Sequence, residues 1–247
     1  MAIAVDLARR VGRLAEMDVR FVPVAPNASS LVPAHAREAA SAALDRGETH
    51  YTDRPGIAPL RGVIADRLND RFSLDLEAGD VIVTCGATEA RFVTIQQLLP
   101  SGAGTVVALG HPERVRGACV IRDVDLVGPD AAPPGGGVIV YLPTGVDGDV
   151  RDRWLREAAD RDWVVLSERE EGDDAPHPAA AGLRDRTITI GDVVAGKGAE
   201  AWRVGYLAAP SSEVGPLRDF KQSLTICTTN VSQWGALALA ENEENAS

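Results

Sequence analysis

The sequence predicts an α/β fold, a mostly parallel sheet sandwiched by helices, and three observations predict it. Short apolar runs alternate with longer segments of helical period, which is the pattern of βαβ units. The runs VIVYL (138–142) and WVVLS (163–167) are apolar throughout rather than alternating, as strands covered on both faces are. Turn-rich connectors such as AAPPGGG (131–137) separate the elements, and no internal repeat replaces this order.

Each element has its own signal. Residues 2–17 place Ile3, Leu7, Val11 and Leu14 at helical spacing. Residues 33–46 form a second helix, with Pro33 at its start and Gly47 just past its end. A third spans 56–71, with Leu60, Ile64 and Leu68 on one face. VIVTC (81–85) is a strand, and GATEA then opens a helix running to about Leu99. TVVAL (105–109) is a strand, and CVIRDVDLV (119–127) is expected to hold another. After VIVYL, the segment PTGVDGDV leads into a helix over 151–161, followed by WVVLS. TITIG (187–191) and WRVGYLAA (202–209) read as strands, and 211–225 and 230–243 as helices. The stretch EEGDDAPHPAAAG (170–182) reads as a solvated loop, and ENEENAS as a frayed end. The expected division is an N-terminal arm and helix over 1–30 and one domain over 31–247.

Composition narrows the function. A chain of 247 residues suits one large domain or two small ones. The 36 acidic residues outnumber the 25 Lys and Arg, and the net charge of −11 disfavours nucleic acid as a partner. Cys85, Cys119 and Cys227 are sparse and odd in number, which fits a reducing compartment. No pair of Cys or His residues has the spacing of a metal site, and His111 and Cys119 are eight apart. No apolar run is long enough to span a membrane, and the N-terminus lacks the apolar core of a signal peptide. A cytoplasmic protein is the expectation. No Gly-x-Ser-x-Gly elbow occurs. His35 reads as exposed on a helix, and His50 as a turn residue or a lining of the site. Glu168, Arg169, Glu170 and Asp192 should converge at the strand ends, as an acid/base cluster or as a solvated acidic rim.

Five motifs carry a family resemblance. HYTDRPGIAPLRGVIADRL (50–68) resembles the Tyr-x-x-x-x-Gly-x-x-x-Leu-Arg signature of class I/II aminotransferases, the pyridoxal-phosphate enzymes of fold type I. DVIVTCGATEA (80–90) resembles their strand–glycine–helix phosphate turn, and YLPTG (141–145) the end of their Asn-Pro-x-Asn-Pro-Thr-Gly motif. WVVLSERE (163–170) is similar to their strand ending in Ser-Asp-Glu, and AWRVGYLAAP (201–210) to the segment after their cofactor lysine. The five stand in family order and cover most of residues 20–240. The resemblance implies a large-domain sheet with the cofactor over the carboxyl ends of its strands. It also implies a homodimer whose sites borrow residues from the neighbour. The family's C-terminal small domain, which supplies the arginine for the substrate carboxylate, has no expected counterpart.

Position by position, the resemblance also implies departures from the family's chemistry. The Schiff-base lysine should stand eight residues before Arg203, and that position is Ala195. Lys197 is the nearest lysine and reaches the place only if its loop slides by two residues. The asparagine that meets the cofactor phenolate falls on Leu142, the pyridine-binding aspartate on Glu168, and the tyrosine beyond it on Glu171. The stacking aromatic falls near Arg114, and a phosphate-binding hydroxyl on Asp192. What remains for an anion is Gly86, Ala87 and Thr88 at a helix start, with Arg203 and the phosphate-reaching Tyr51. Alternatively, Gly86 and Ala87 serve only a tight turn, and Arg203 only a salt bridge. Three readings follow. The first is an aminotransferase-like protein of small-molecule biosynthesis without conventional transamination, taking a small anionic or amino-acid-like ligand. The second is a working enzyme, aminotransferase or lyase, that uses Lys197 and Glu168. The third is a non-catalytic homologue acting through dimer or partner contacts.

Overall fold

The computed structural model describes residues 32–132 and 135–244. These lie in one unit spanning residues 31–247. The helix expected over 2–17 and the tail ENEENAS from Asn245 onward lie outside the described residues.

Two helices lead in, α1 (Ala34–Asp45) and α2 (Ala58–Phe72). Pro59 in the first turn of α2 and left-handed Ser73 at its end fix both limits. The strands are β1 (Val81–Thr84), β2 (Gly104–Ala108), β3 (Asp125–Val127), β4 (Gly137–Leu142), β5 (Val164–Arg169), β6 (Thr187–Asp192) and β7 (Gly205–Ala208). The remaining helices are α3 (Gly86–Leu98), α4 (Glu113–Arg122), α5 (Gly148–Arg161), α6 (Ser211–Thr225) and α7 (Asn230–Glu244). The sheet has seven strands in the order β1-β7-β6-β5-β4-β2-β3. All pairings are parallel except those of β7, which runs antiparallel to both β1 and β6.

The alternation of side chains along each strand splits the core in two. Val81 and Val83 point to a layer with Leu60, Ile64, Val204 and Ala236, built on α2 and α7. Ile82 points the other way, into a layer with Val93, Val106, Ile139, Leu166, Leu207 and Leu217 under α3 and α6. Val140, Trp154, Trp163 and Val165 continue the first face beneath α5. Helices on both faces explain why the central strands are apolar at every position.

Two boundaries differ from the sequence reading. The β-branched run in CVIRDVDLV does not form a long strand. Its first half ends α4, which turns Val115, Ala118 and Cys119 inward at spacings of three and four and leaves Val120 and Ile121 exposed. Left-handed Asp123 stops the helix, and only Asp125–Val127 pairs with β2. Helix α5 begins three residues before the expected 151, because the Asp147 side chain accepts hydrogen bonds from Asp149 N at 3.0 Å and Val150 N at 3.2 Å.

Candidate functional site

The site sits where α/β sheets hold ligands, at the carboxyl ends of the parallel strands. There β1 turns into α3, β5 ends in Glu168 and Arg169, β6 ends in Asp192, and antiparallel β7 begins. Gly205 faces Thr84 on one side and Asp192 on the other. A Cβ on Gly205 would stand 2.6 Å from the carbonyl carbon of Gly86, 2.7 Å from Gly191 O and 2.8 Å from Ala87 N. Only glycine lets the start of α3 settle this closely on the sheet. Gly86 itself has a φ of 76°, which begins the helix in a conformation that other residues resist.

Gly86, Ala87, Thr88 and Arg203 come together, as the sequence reading expects. They line one cavity of about 150 Å³ with Asp192, Val194, Ala195 and Glu200. The helix start is already engaged: Ala87 N donates to Asp192 Oδ1 at 2.7 Å. Arg203, itself in the left-handed region, donates from Nη2 to Cys85 O at 3.0 Å. Asp192 is exposed as a residue, yet protein crowds its carboxyl. That burial and the charge of Glu168 push its pKa upward, against the bond from Ala87.

A second cavity, of about 440 Å³, adjoins the first. Arg91, Arg114, Glu168, Glu170, Asp192 and Ala195 line it, together with Arg169, Glu171 and Gly196. Glu168 is held from three sides. Arg91 Nη1 reaches its oxygens at 2.7 and 2.8 Å, Tyr141 Oη donates at 2.6 Å, and Arg114 Nη1 approaches at 3.2 Å. Burial, then the adjacent Glu168 charge, pushes the Tyr141 phenol well above its ordinary pKa, so it remains a donor. Arg114 also binds Glu170 at 2.9 Å. Arg91 Nη2 reaches Thr88 Oγ1 at 3.1 Å, whereas its buried Nε has no hydrogen-bond partner.

Sequence reading missed Arg91 and Tyr141. Arg91 is the one charged residue in ARFVTIQQLL and Tyr141 the one polar side chain in VIVYL, and a lone arginine on a buried helix face signals a buried carboxylate nearby.

Lys197 lies elsewhere. Its Nζ donates to Val193 O at 2.9 Å and faces Glu171 at 3.8 Å. Its side chain lines a neighbouring cavity with Ile64, Leu68 and Tyr206, which shares Arg169, Glu170, Glu171 and Asp192 with the larger strand-end cavity, and burial lowers its pKa. Leu142 is buried against the α5 layer. Tyr51 is 78% exposed and lines neither strand-end cavity. Among the described residues, no group of three or more His, Cys, Asp or Glu is placed to hold a metal, and no helix is long and apolar enough to cross a membrane.

These residues do not fit pyridoxal phosphate. Ala195 lines both of these cavities and no lysine does, while Lys197 lines the adjoining one with its ammonium turned to Val193 O. The backbone donor that would meet a phosphate already holds a carboxylate. Glu168 is committed to two guanidiniums and a phenol.

No protein-family model matches the chain. Curated relatives do. The probable aspartate aminotransferase of Methanocaldococcus jannaschii is 30% identical over 238 residues, covering 83% of this chain and 63% of that protein. The aspartate/prephenate aminotransferase of Thermus thermophilus is 25% identical over 241 residues, covering 86% and 62%. This chain therefore spans somewhat under two thirds of the length of these relatives. Among solved structures, the aspartate aminotransferase of Thermus thermophilus with maleate superposes with a TM-score of 0.75 at 23% identity, over 97% of this chain and 70% of that one. The methionine aminotransferase YbdL of Escherichia coli superposes at 0.74 and 20% identity, over 87% and 64%. With the seven-stranded sheet, the strand-end site and these relatives together, the chain has the fold of the fold type I aminotransferases and is similar to them in sequence over the 62–63% of their length that it spans.

Proposed function

We propose that the chain is an aminotransferase-like protein of small-molecule biosynthesis that does not transaminate by Schiff-base chemistry, and that it binds a small amino-acid-like ligand at the strand ends. The observation that carries the reading is the lining of the two strand-end cavities, which includes Ala195 and no lysine. Without an amine there, no residue lining these two cavities can form the imine. Lys197 gives no substitute, because its ammonium is bonded to Val193 O on the side of α2. The larger cavity carries both signs of charge, with Arg91 and Arg114 against Glu168, Glu170 and Asp192. That lining suits a zwitterion, whose carboxylate would pair with Arg114 and whose ammonium would face the carboxylates. The protein works as a cytoplasmic homodimer, in which exposed Tyr51 serves the neighbouring copy.

Binding and turnover separate this reading from its rivals. The protein should bind aspartate by calorimetry, and Arg114→Gln should weaken that binding about tenfold, the loss of one charge-assisted contact. It should form no 2-oxo acid from aspartate, with or without added pyridoxal phosphate. Turnover that needs the cofactor and is abolished by Lys197→Ala would establish a working aminotransferase instead. An absence of aspartate binding would remove the zwitterion site.

A further inference from the structure

Among the described residues, Asp192 is the strand-end carboxylate that accepts from the backbone at the start of a helix in the strand-end cavities. The first turn of a helix presents unpaired N–H groups and the positive end of the helix dipole, so it attracts an anion. At α3 the anion is part of the chain itself, since Ala87 N donates to Asp192 Oδ1 at 2.7 Å. A Cβ on Gly86 would meet this same oxygen at 3.1 Å and Arg203 Nη2 at 3.5 Å. The carboxylate and the guanidinium thus both stand against the glycine. Asp192 cannot drift from this place cheaply, because its backbone pairs with Gly205 across β6 and β7, and Gly205 is wedged against Ala87.

We propose that Asp192 is a built-in occupant of the helix start that closes this cavity to phosphate and to phosphorylated ligands, so that the ligand of this protein is a small molecule without a phosphate. A tethered carboxylate competes for the amide at a high effective concentration. An incoming phosphate would have to displace it and then remain beside its negative charge and that of Glu200, which lines the same cavity. Arg203 offsets this only in part, since one of its five N–H groups is given to Cys85 O and its charge already faces Asp192. The proposal depends on the small-molecule reading only for where the ligand sits.

The test uses inorganic phosphate, which has no aldehyde and so reads the cradle apart from any Schiff base. Calorimetric titrations compare the unaltered protein with Asp192→Ser and Asp192→Asn. The unaltered protein should show no saturable binding at millimolar phosphate, and both variants should bind at least about tenfold more tightly. Phosphate binding by the unaltered protein as tight as by the variants would overturn the proposal, and it would leave the absence of Schiff-base chemistry standing. Should the variants fail to fold, the Ala87 amide resonance of the unaltered protein decides. It should not move on addition of phosphate, and a saturable shift would overturn the proposal.

Discussion

His177 shows how much a single buried group can fix. Its Nδ1 accepts from Ala179 N at 3.1 Å, so the proton is on Nε2, which donates to Thr189 Oγ1 at 2.9 Å. Its ring lies 5.1 Å from that of Phe72. Burial, aided by the charge of Arg169, lowers its pKa to about 3. The unfolded chain therefore binds this proton first. Stability from the neutral ring is complete above about pH 6.5 and falls by about 1.4 kcal/mol per pH unit between there and pH 3. Asp173, whose pKa is lowered in the fold despite its burial, adds to the loss only at more acid pH. Chemical denaturation from pH 7 to pH 4 should show this slope, and His177→Gln should flatten it; an unchanged slope in the variant would refute the assignment. His177 had no motif around it and was not legible in the sequence. Nor was the grip of Arg91 and Tyr141 on Glu168, because spacing cannot tell which buried groups will meet across a sheet. Ala195, by contrast, was singled out in the sequence by its distance to Arg203, and in the structure it lines both strand-end cavities.

Most elements could be read in the sequence from periodicity, and the exceptions have physical causes. Helix α4 carries Val120 and Ile121 on its exposed side, so its sequence imitates a strand where the structure needs three inward residues and a left-handed cap. Helix α5 starts early because the capping Asp147 outweighs the glycine at its first position, Gly148. A close backbone-to-backbone fit is that of β7 on α3. No single-sequence pattern reveals that Gly205 must lack a side chain, because the constraint comes from a helix more than a hundred residues away. Gly205→Ala should lower stability by about 3 kcal/mol, the cost of overpacking a site that cannot yield, measured by urea denaturation. A variant within about 0.5 kcal/mol of the original would show that α3 can retreat from the sheet.

On the scale of the whole molecule, the fold and its family were both accessible from five motifs in order, because the residues that shape turns and strand ends were the ones quoted. The state of the site was only half accessible. The sequence named Gly86, Ala87, Thr88 and Arg203 as an anion cradle, and they do meet. It did not show that Asp192 would accept from Ala87 N or that Lys197 would line the cavity adjoining the larger one, since both depend on how the loop after β6 turns. The strand-end groups thus bond to one another, Ala87 N to Asp192 and Arg91, Tyr141 and Arg114 to Glu168. This account predicts a specific chemical silence. Incubation with pyridoxal phosphate, reduction with borohydride and intact-mass measurement should leave the mass unchanged beyond the label seen on surface lysines of a denatured control. A single stoichiometric pyridoxyl adduct on Lys197 of the folded protein would contradict it.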